Sequence, residues 1–509
     1  MRARCFKLVF SLILSTSIAL NGVAQQEALK DIQKHILYTA KPVNVEISST
    51  LTLNGTWHFN PAAGIAMEKV KPGNGSRWEK INVPGDWTTQ SFKVKAGEPA
   101  QYFRTFEIPS GWKGQRIKLR ADGIQSWCRI WINNKYAGSH LGGFTAFEID
   151  ITEQVRTGTN KILIAVQNES IADSLASTTQ YAAFLIGGIF RKIYLLAVPE
   201  INFSVFRVEA GLAVNYSDGT LRTHFTIRNQ GKARIENLNV KYSLSDENGK
   251  IVNTRIDADN LGSVDPNEKS STVAEKIIYG IEKWDCEHPN LYTLTIQLFS
   301  NDRLIETISQ KIGFRTIEII GNQVFVNGMP VKLHGSNRHE THPLTGRTLT
   351  PEICLQDVVL FRNANNNYIR TSHYPPSEEF LNACDSLGMF VEVESPFCWV
   401  GHSANSKWEQ ENPENMSFED YILQATTENI LFNFNHPSIL MWSLANESRW
   451  SAIWNEAHKL ADKIDRTRPK TFHDQAYGGY NNFGSTEMPI ANYHYPGDED
   501  PFVNREYPR

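Results

Sequence analysis

The chain is poor in cysteine, with six in 509 residues, and these form neither a Cys-x-x-Cys pair nor a metal-type spacing against histidine. Setting Cys5 aside leaves Cys128, Cys286, Cys354, Cys384 and Cys398, an odd set that points to buried thiols over a disulfide framework. An excess of one charge is also missing: 51 Lys and Arg stand against 55 Asp and Glu, a net charge of −4. With no basic stripe, nucleic acid is not an expected partner. Long apolar runs are absent except near the start, where Arg2, Arg4 and Lys7 precede the run 8–20, and small residues at Gly22 and Ala24 follow. That order predicts an export signal, residues 1–24, cleaved after Ala24; a membrane anchor would need about 20 apolar residues. The mature protein is therefore expected in the periplasm or secreted, with no membrane span, and nothing in the sequence specifies an oligomer.

What the chain does have is length for about three domains of ~100–200 residues each, together with 12 Trp and 17 Tyr. Aromatic faces serve sugar sites, and they also fill β-sandwich cores. From 45 to 199 short runs of alternating Val, Ile, Phe and Trp are broken by Gly, Asn and Pro, which predicts an antiparallel sandwich with a hairpin tip at Asn133-Asn134. Residues 200–315 form a second all-β segment of immunoglobulin-like size, without clustered catalytic groups. From 316 to 509 the period changes. Runs at 331–334, 368–371, 389–393, 439–444, 471–473 and 490–493 alternate with amphipathic helices, the βα repeat of a parallel sheet. Thr350-Pro351 predicts an N-cap and first helical position, and Gly388 a C-terminal stop. A further helix sets Ile453, Ala457, Leu460, Ala461 and Ile464 on one face. The expected architecture is two sandwiches followed by an incomplete (β/α)8 barrel of about six βα units, short of the roughly 250 residues of a complete one.

Chemistry concentrates at the ends of these expected strands, where α/β barrels place active sites. The stretch 435–447, NHPSILMWSLANE, reads as a buried strand that ends in Asn446 and Glu447. The stretch 367–394 offers Arg370 and His373 after one strand, then a helix, then Glu392 and Glu394 on the next. Residues 334–347, HGSNRHETHPLTGR, hold Asn337, Arg338, His339, Glu340 and His342 too densely for a core, and predict the loop after the first barrel strand. Trp399 and Trp442 are either stacking platforms or core. Tyr493, His494 and Tyr495 would end a sixth strand.

The stretches 435–447 and 367–394 resemble the two signature regions of glycoside hydrolase family 2, the β-galactosidase and β-glucuronidase group, the first almost position for position. The resemblance extends to a jelly-roll sugar-binding domain over 45–199, with Trp57, Val83-Pro84, Tyr102-Phe103-Arg104 and Gly188-Ile189-Phe190-Arg191 at its recurrent places, and to a junction at Gly313-Phe314-Arg315. It implies a retaining exo-β-glycosidase acting on oligosaccharides, most simply a β-galactosidase. The alternatives are a β-glucuronidase or β-mannosidase, or a carbohydrate-binding protein without catalysis. It further implies Glu447 as acid/base, Asn446 on the sugar 2-hydroxyl, and His373, Asn337, His339, Glu394, Trp399 and Tyr495 as substrate-binding groups, with Arg338 and Glu340 as an internal ion pair. Some β-galactosidases send an acidic residue from the loop here occupied by Gln180-Tyr181-Ala182-Ala183-Phe184, so the sugar stays open. In metal-dependent relatives a Glu at the place of Glu394 and a nearby His hold a divalent ion. Here Ser395-Pro396-Phe397 follow, so no metal or other cofactor is expected.

Retaining hydrolysis needs two carboxyl groups about 5–5.5 Å apart, one of them protonated at working pH. By the resemblance, the second should end a seventh strand. Glu506-Tyr507 matches that context superficially, but no apolar strand precedes it, so the nucleophile is expected beyond Arg509. A sheet lacking its last strands would expose an unpaired edge. This polypeptide alone is accordingly expected to be poorly soluble and inactive.

Overall fold

The computed structural model describes residues 49–62, 78–176, 186–253, 259–401, 418–474, 488–490 and 492. The export signal, the loop 180–184, Tyr493 to Tyr495 and Glu506 lie outside these residues.

The first domain is a sandwich of two antiparallel sheets, one of six strands and one of four. The alternation seen in the sequence becomes its core: Trp57, Phe59, Tyr102, Leu119, Ile164 and Leu195 are buried between the sheets. The hairpin joining Trp127–Ile132 to Lys135–Leu141 turns at Asn133 and Asn134. Their φ values of 51° and 66° are the left-handed pair that a type I′ turn requires.

The second domain packs a three-stranded antiparallel sheet, Ile201–Leu212, Gly219–Asn229 and Lys269–Ile278, against a five-stranded one. Its core includes Phe203, Phe225, Leu244, Ile296 and Phe314. A small antiparallel unit, Ile317–Ile320, Gln323–Val326 and Met329–Pro330, then leads into the third domain.

There, five parallel strands lie side by side in chain order: Gly335–Arg338, Tyr368–Thr371, Phe390–Glu394, Ile439–Ser443 and Lys470–Thr471. They are called the first to fifth barrel strands below. Where six units were expected, the described residues hold these five and one parallel bridge, Thr471 to Ile490. The first strand also begins later than the run 331–334 suggested. Val331 and Leu333 pack beneath the sheet with Trp284, Val326 and Phe390, and the side chain of Asn367 bonds the backbone at Lys332 and His334. Pairing starts at Gly335, where a Cβ would lie 1.9 Å from the Tyr368 carbonyl oxygen; only glycine allows that approach. Residues expected as a loop, Gly335 to Arg338, therefore form the strand itself, and its outer edge is exposed at Gly335, Ser336 and Asn337.

Helix Pro351–Asn363 starts as its sequence requires, with the Thr350 hydroxyl accepting from the Ile353 N–H and proline at its first position. Helix Glu378–Leu387 buries Phe380, Leu381 and Cys384 against the sheet and ends at Gly388 with φ 73°. Full burial of one Phe or Leu contributes about 1.5–3 kcal/mol. Helix Ala452–Ile464 buries Ile453, Trp454, Ala457 and Ala461. Trp442 belongs to this core, 1% exposed, its indole N–H bonded to Asp465 at 2.7 Å. All five described cysteines are buried free thiols. No described helix is long and apolar enough to cross a membrane.

The first domain is fastened to the rim of the parallel sheet. Arg191 donates to Glu340 at 3.1 Å and to the Pro375 carbonyl at 2.7 Å. Glu428 accepts from His140 and Thr145, and Lys192 bridges Glu378 and Glu379, each at 2.7 Å. Trp127, Leu141, Ile171 and Leu175 of the first domain join the barrel core.

Candidate active site

The register of the sheet assembles the site. The second strand aligns Arg370 with Asn337 on one side and Glu392 on the other. A slip between Val391 and Glu392 then sets Glu394 opposite Ser443. In a parallel sheet, aligned residues share a face, so these polar groups meet above an apolar floor.

Glu394 is the hub. Arg370 donates to its Oε2 through Nε at 2.9 Å and Nη2 at 2.6 Å, and Ser443 donates to the same oxygen at 2.8 Å. His373 Nδ1 lies 2.7 Å from its Oε1. Complete burial would push this carboxyl up, but Arg370, then His373 and His473, outweigh it and hold it below the usual carboxylate range. Arg370 answers in kind: burial works against its charge, yet Glu394 and Glu392 raise it above its ordinary value. Glu392 is bonded by His473 at 2.8 Å and by the Tyr368 hydroxyl. Burial pushes Glu392 up, and His473 and Arg370 bring it below the usual range.

Arg370 also reaches forward. Its Nη2 donates to Asn446 Oδ1 at 2.7 Å, while Asn446 Nδ2 donates to Cys398 Sγ at 3.1 Å. The Asn446 amide is thus oriented at both ends. Past the strand ends, the segments after the third and fourth strands continue to pair, by a parallel bridge from Cys398 to Asn446 and by Trp399 N–H to the Asn446 carbonyl at 3.0 Å. Across that pairing the Trp399 indole N–H donates to Glu447 Oε2 at 2.7 Å. Glu447 is 7% exposed, so its carboxyl sits in a niche and not in bulk water.

Another group stands beside His373. His339 Nδ1 is 3.3 Å from the Tyr374 hydroxyl, and its ring meets that of His373 edge-on at 5.2 Å. Burial, then His373 and Arg347, lower His339 to about 4, so it is a neutral imidazole at neutral pH. Tyr374 is stacked on Phe144 of the first domain at 4.2 Å, which makes that sandwich one wall of the site.

The structure therefore brings Glu447, Asn446, His373, His339 and Trp399 to one rim; Asn337 shares the inner face beside Arg370 but lies on the exposed edge strand, and Tyr495 is outside the described residues. Two expectations change. Glu394, expected to touch substrate, is 0% exposed, and its carboxyl oxygens are taken by Arg370, His373 and Ser443. Arg338 and Glu340 do not pair. Arg338 points outward to Asp357 at 2.7 Å and lies 4.0 Å over the Phe380 ring, whereas Glu340, beyond the strand end, is taken by Arg191. Trp399, a candidate stacking face, is also a hydrogen-bond donor to Glu447 through its ring edge. Ser443, Cys398 and Tyr374 had no sequence signal of their own, since their roles come from register and from a neighbouring domain.

Among the described residues, Glu392, Glu394 and His473 bring possible ligand atoms within 4.8 Å of one another. Their fit to a divalent ion is poor. The guanidinium of Arg370 already supplies the positive charge, and an ion would have to displace it from Glu394.

The chain is similar to known proteins along most of its length. Residues 317–501 match the family described as glycosyl hydrolases family 2, TIM barrel domain; residues 93–199 match glycosyl hydrolases family 2, sugar binding domain, and 204–315 match the family described as glycosyl hydrolases family 2. A β-galactosidase of Priestia megaterium is 28% identical over 94% of this chain and 48% of its own length. The solved structure of Bacteroides uniformis β-glucuronidase 2, covalently bound to cyclophellitol-6-carboxylate aziridine, superposes with a TM-score of 0.72 at 25% identity, covering 83% of this chain and 52% of that one. A β-galacturonidase of Eisenbergiella tayi, 23% identical with a TM-score of 0.69 over 87% of this chain and 72% of that one, shares the fold. The chain spans about half the length of the curated relatives it matches.

Proposed function

This chain belongs to glycoside hydrolase family 2, and on that premise we propose that it carries the acid/base side of a retaining exo-β-glycosidase. Its substrates are terminal β-linked sugars of oligosaccharides, most simply galactose. The observation that carries the reading is the placement of Glu447: a buried carboxyl at the end of the fourth barrel strand, bonded to Trp399, beside an Asn446 amide locked by Arg370 and Cys398.

In the first step Glu447 gives its proton to the glycosidic oxygen as that oxygen leaves with the bonding pair. In the second it takes a proton from the water that attacks the glycosyl intermediate. Asn446 is placed to bond the sugar 2-hydroxyl, and neutral His339 can accept or donate to another hydroxyl. Glu392 and Glu394 do not suit the nucleophile's role, because both are buried and bonded on both oxygens. Another carboxylate serves. No step draws on a divalent ion. Galactose is preferred to glucuronic acid because the relative matching 94% of this chain is a β-galactosidase. Export is part of the proposal and rests on the basic, then apolar, order of residues 1–24.

The test is a panel of aryl β-galactosides, β-glucuronides and β-mannosides with the protein that carries this chain. Glu447→Gln should lower the rate by about 10²–10⁴, and azide should restore turnover with a β-glycosyl azide as product, because a small anion needs no general base. Full parental rate in the variant would defeat the assignment. Glycan binding without turnover, unchanged by the substitution, would make this a binding protein.

A further inference from the structure

We propose that Trp399 is the positioning residue of the acid/base. Its indole N–H occupies Glu447 Oε2, so the transferable proton resides on Oε1 and the ionised form is stabilised between the two steps. The inference rests on Glu447 being that acid/base, and its geometry is independent of which sugar is bound.

An indole N–H can donate but cannot accept. The Glu447 oxygen it faces at 2.7 Å must therefore be an acceptor in both protonation states. In the protonated carboxyl the carbonyl oxygen is a stronger acceptor than the hydroxyl oxygen, so the bond from Trp399 favours O–H on the other oxygen and thereby biases which oxygen delivers the proton. When the Oε1–H bond breaks and the proton passes to the leaving oxygen, the carboxylate keeps its bond from Trp399, now charge-assisted and stronger. That charge-assisted bond favours the ionised form.

The backbone supports a dedicated arrangement. Trp399 has φ 56° and Glu447 has φ 38°, both left-handed conformations that side chains other than glycine seldom adopt and that persist only where the surroundings impose them. The surroundings here are the Cys398 to Asn446 bridge, the Trp399 N–H to Asn446 carbonyl bond, and Val400 N–H to Ser448 Oγ at 3.0 Å. Two strained residues on facing segments thus aim their side chains at each other.

Other ionisable groups stand on the surrounding strand ends: Arg370 and His373 on the second, Glu392, Glu394 and Cys398 on the third, Arg449 after the fourth, and His473 and Asp474 after the fifth. Arg370, His373 and His473 are bonded to Glu394 or Glu392, so they are shared with carboxylates other than Glu447.

The experiment compares pH profiles of kcat/KM for the parent, Trp399→Phe and Trp399→His. Removing the donor should move the basic limb up by about one to two pH units, leave the acidic limb in place, and lower the rate at neutral pH. Histidine, which restores a ring N–H, should bring the limb back part of the way. In a Glu447→Gln background, Trp399→Phe should change kcat by less than about twofold. An unmoved basic limb, or the same loss in both backgrounds, overturns the inference. If Glu447→Gln alone behaves as the parent, it is the assignment of Glu447 that falls; if it behaves as an acid/base variant while Trp399→Phe leaves the limb unmoved, only the role of Trp399 falls.

Discussion

Arg370→Met would keep the aliphatic stem of the residue that ties the interior of the sheet to the reacting rim while deleting its guanidinium. Glu394, 0% exposed, would then depend on His373 and Ser443, with His473 4.0 Å away. Removing one partner from a buried ion pair costs about 3–5 kcal/mol. Asn446 would also lose a charge-assisted bond worth about 1.5–3 kcal/mol, partly offset because its amide stays tethered to Cys398. A net loss of about 4 kcal/mol at pH 7 follows, read as a lower denaturant midpoint at constant slope. The pH dependence has a definite sign. Glu394 titrates below its unfolded value, so its contribution is present above the unfolded pKa and is lost as pH falls through the folded one. Without Arg370 the folded value rises, and the acid limb of stability should begin at higher pH. Adding Glu394→Gln removes the stranded charge, so the double variant should be less destabilised than the sum of the singles by at least about 1 kcal/mol. A loss below about 1 kcal/mol in Arg370→Met, or strict additivity, would refute the reasoning.

Two further predictions concern stability away from the site. Burial raises Glu306 to about 8, with the Phe203 N–H as donor at 2.8 Å; a raised folded pKa means that stability is lost as pH climbs from its unfolded value through about 8. Glu306→Gln should flatten that decline and stabilise the protein at pH 9 by up to about 4 kcal/mol, and identical thermal midpoints of parent and variant at pH 9 would contradict the burial argument. Gly388→Ala would place a Cβ 2.4 Å from the Cys286 carbonyl oxygen at φ 73°, which should cost about 2–3 kcal/mol; a thermal midpoint within 1 °C of the parent would show that the turn relaxes freely.

Much of this architecture is legible in the chain because local rules and tertiary packing agree there. The second barrel strand falls at 368–371 in both sequence and structure, Thr350-Pro351 caps the helix it precedes, and Asn133-Asn134 makes the turn that its residue types favour. The first strand was misplaced because apolar Val331 and Leu333 look like a strand, while the pairing residues Gly335 to Arg338 look like a loop. The sheet edge admits a polar strand there, and no local pattern reports an edge. The partners of Arg338 and Glu340 were equally hidden: two residues apart in sequence, one belongs to the helix layer and the other to a latch from the first sandwich. The network around Glu394 depends on the slip between Val391 and Glu392, which brings Ser443 level with it. Trp399 could be recognised as a rim residue, but its bond to Glu447 arises only where the segments after two strands pair.

The central claim is that Glu447 delivers the proton to the departing oxygen, and the most direct measurement is the leaving-group dependence of Glu447→Gln across a series of aryl β-glycosides. Proton donation matters most for the poorest leaving groups. The rate deficit should therefore be small for dinitrophenyl glycosides and grow to about 10³ or more for unactivated ones. A deficit that is uniform across the series would contradict the account and leave Glu447 a structural residue.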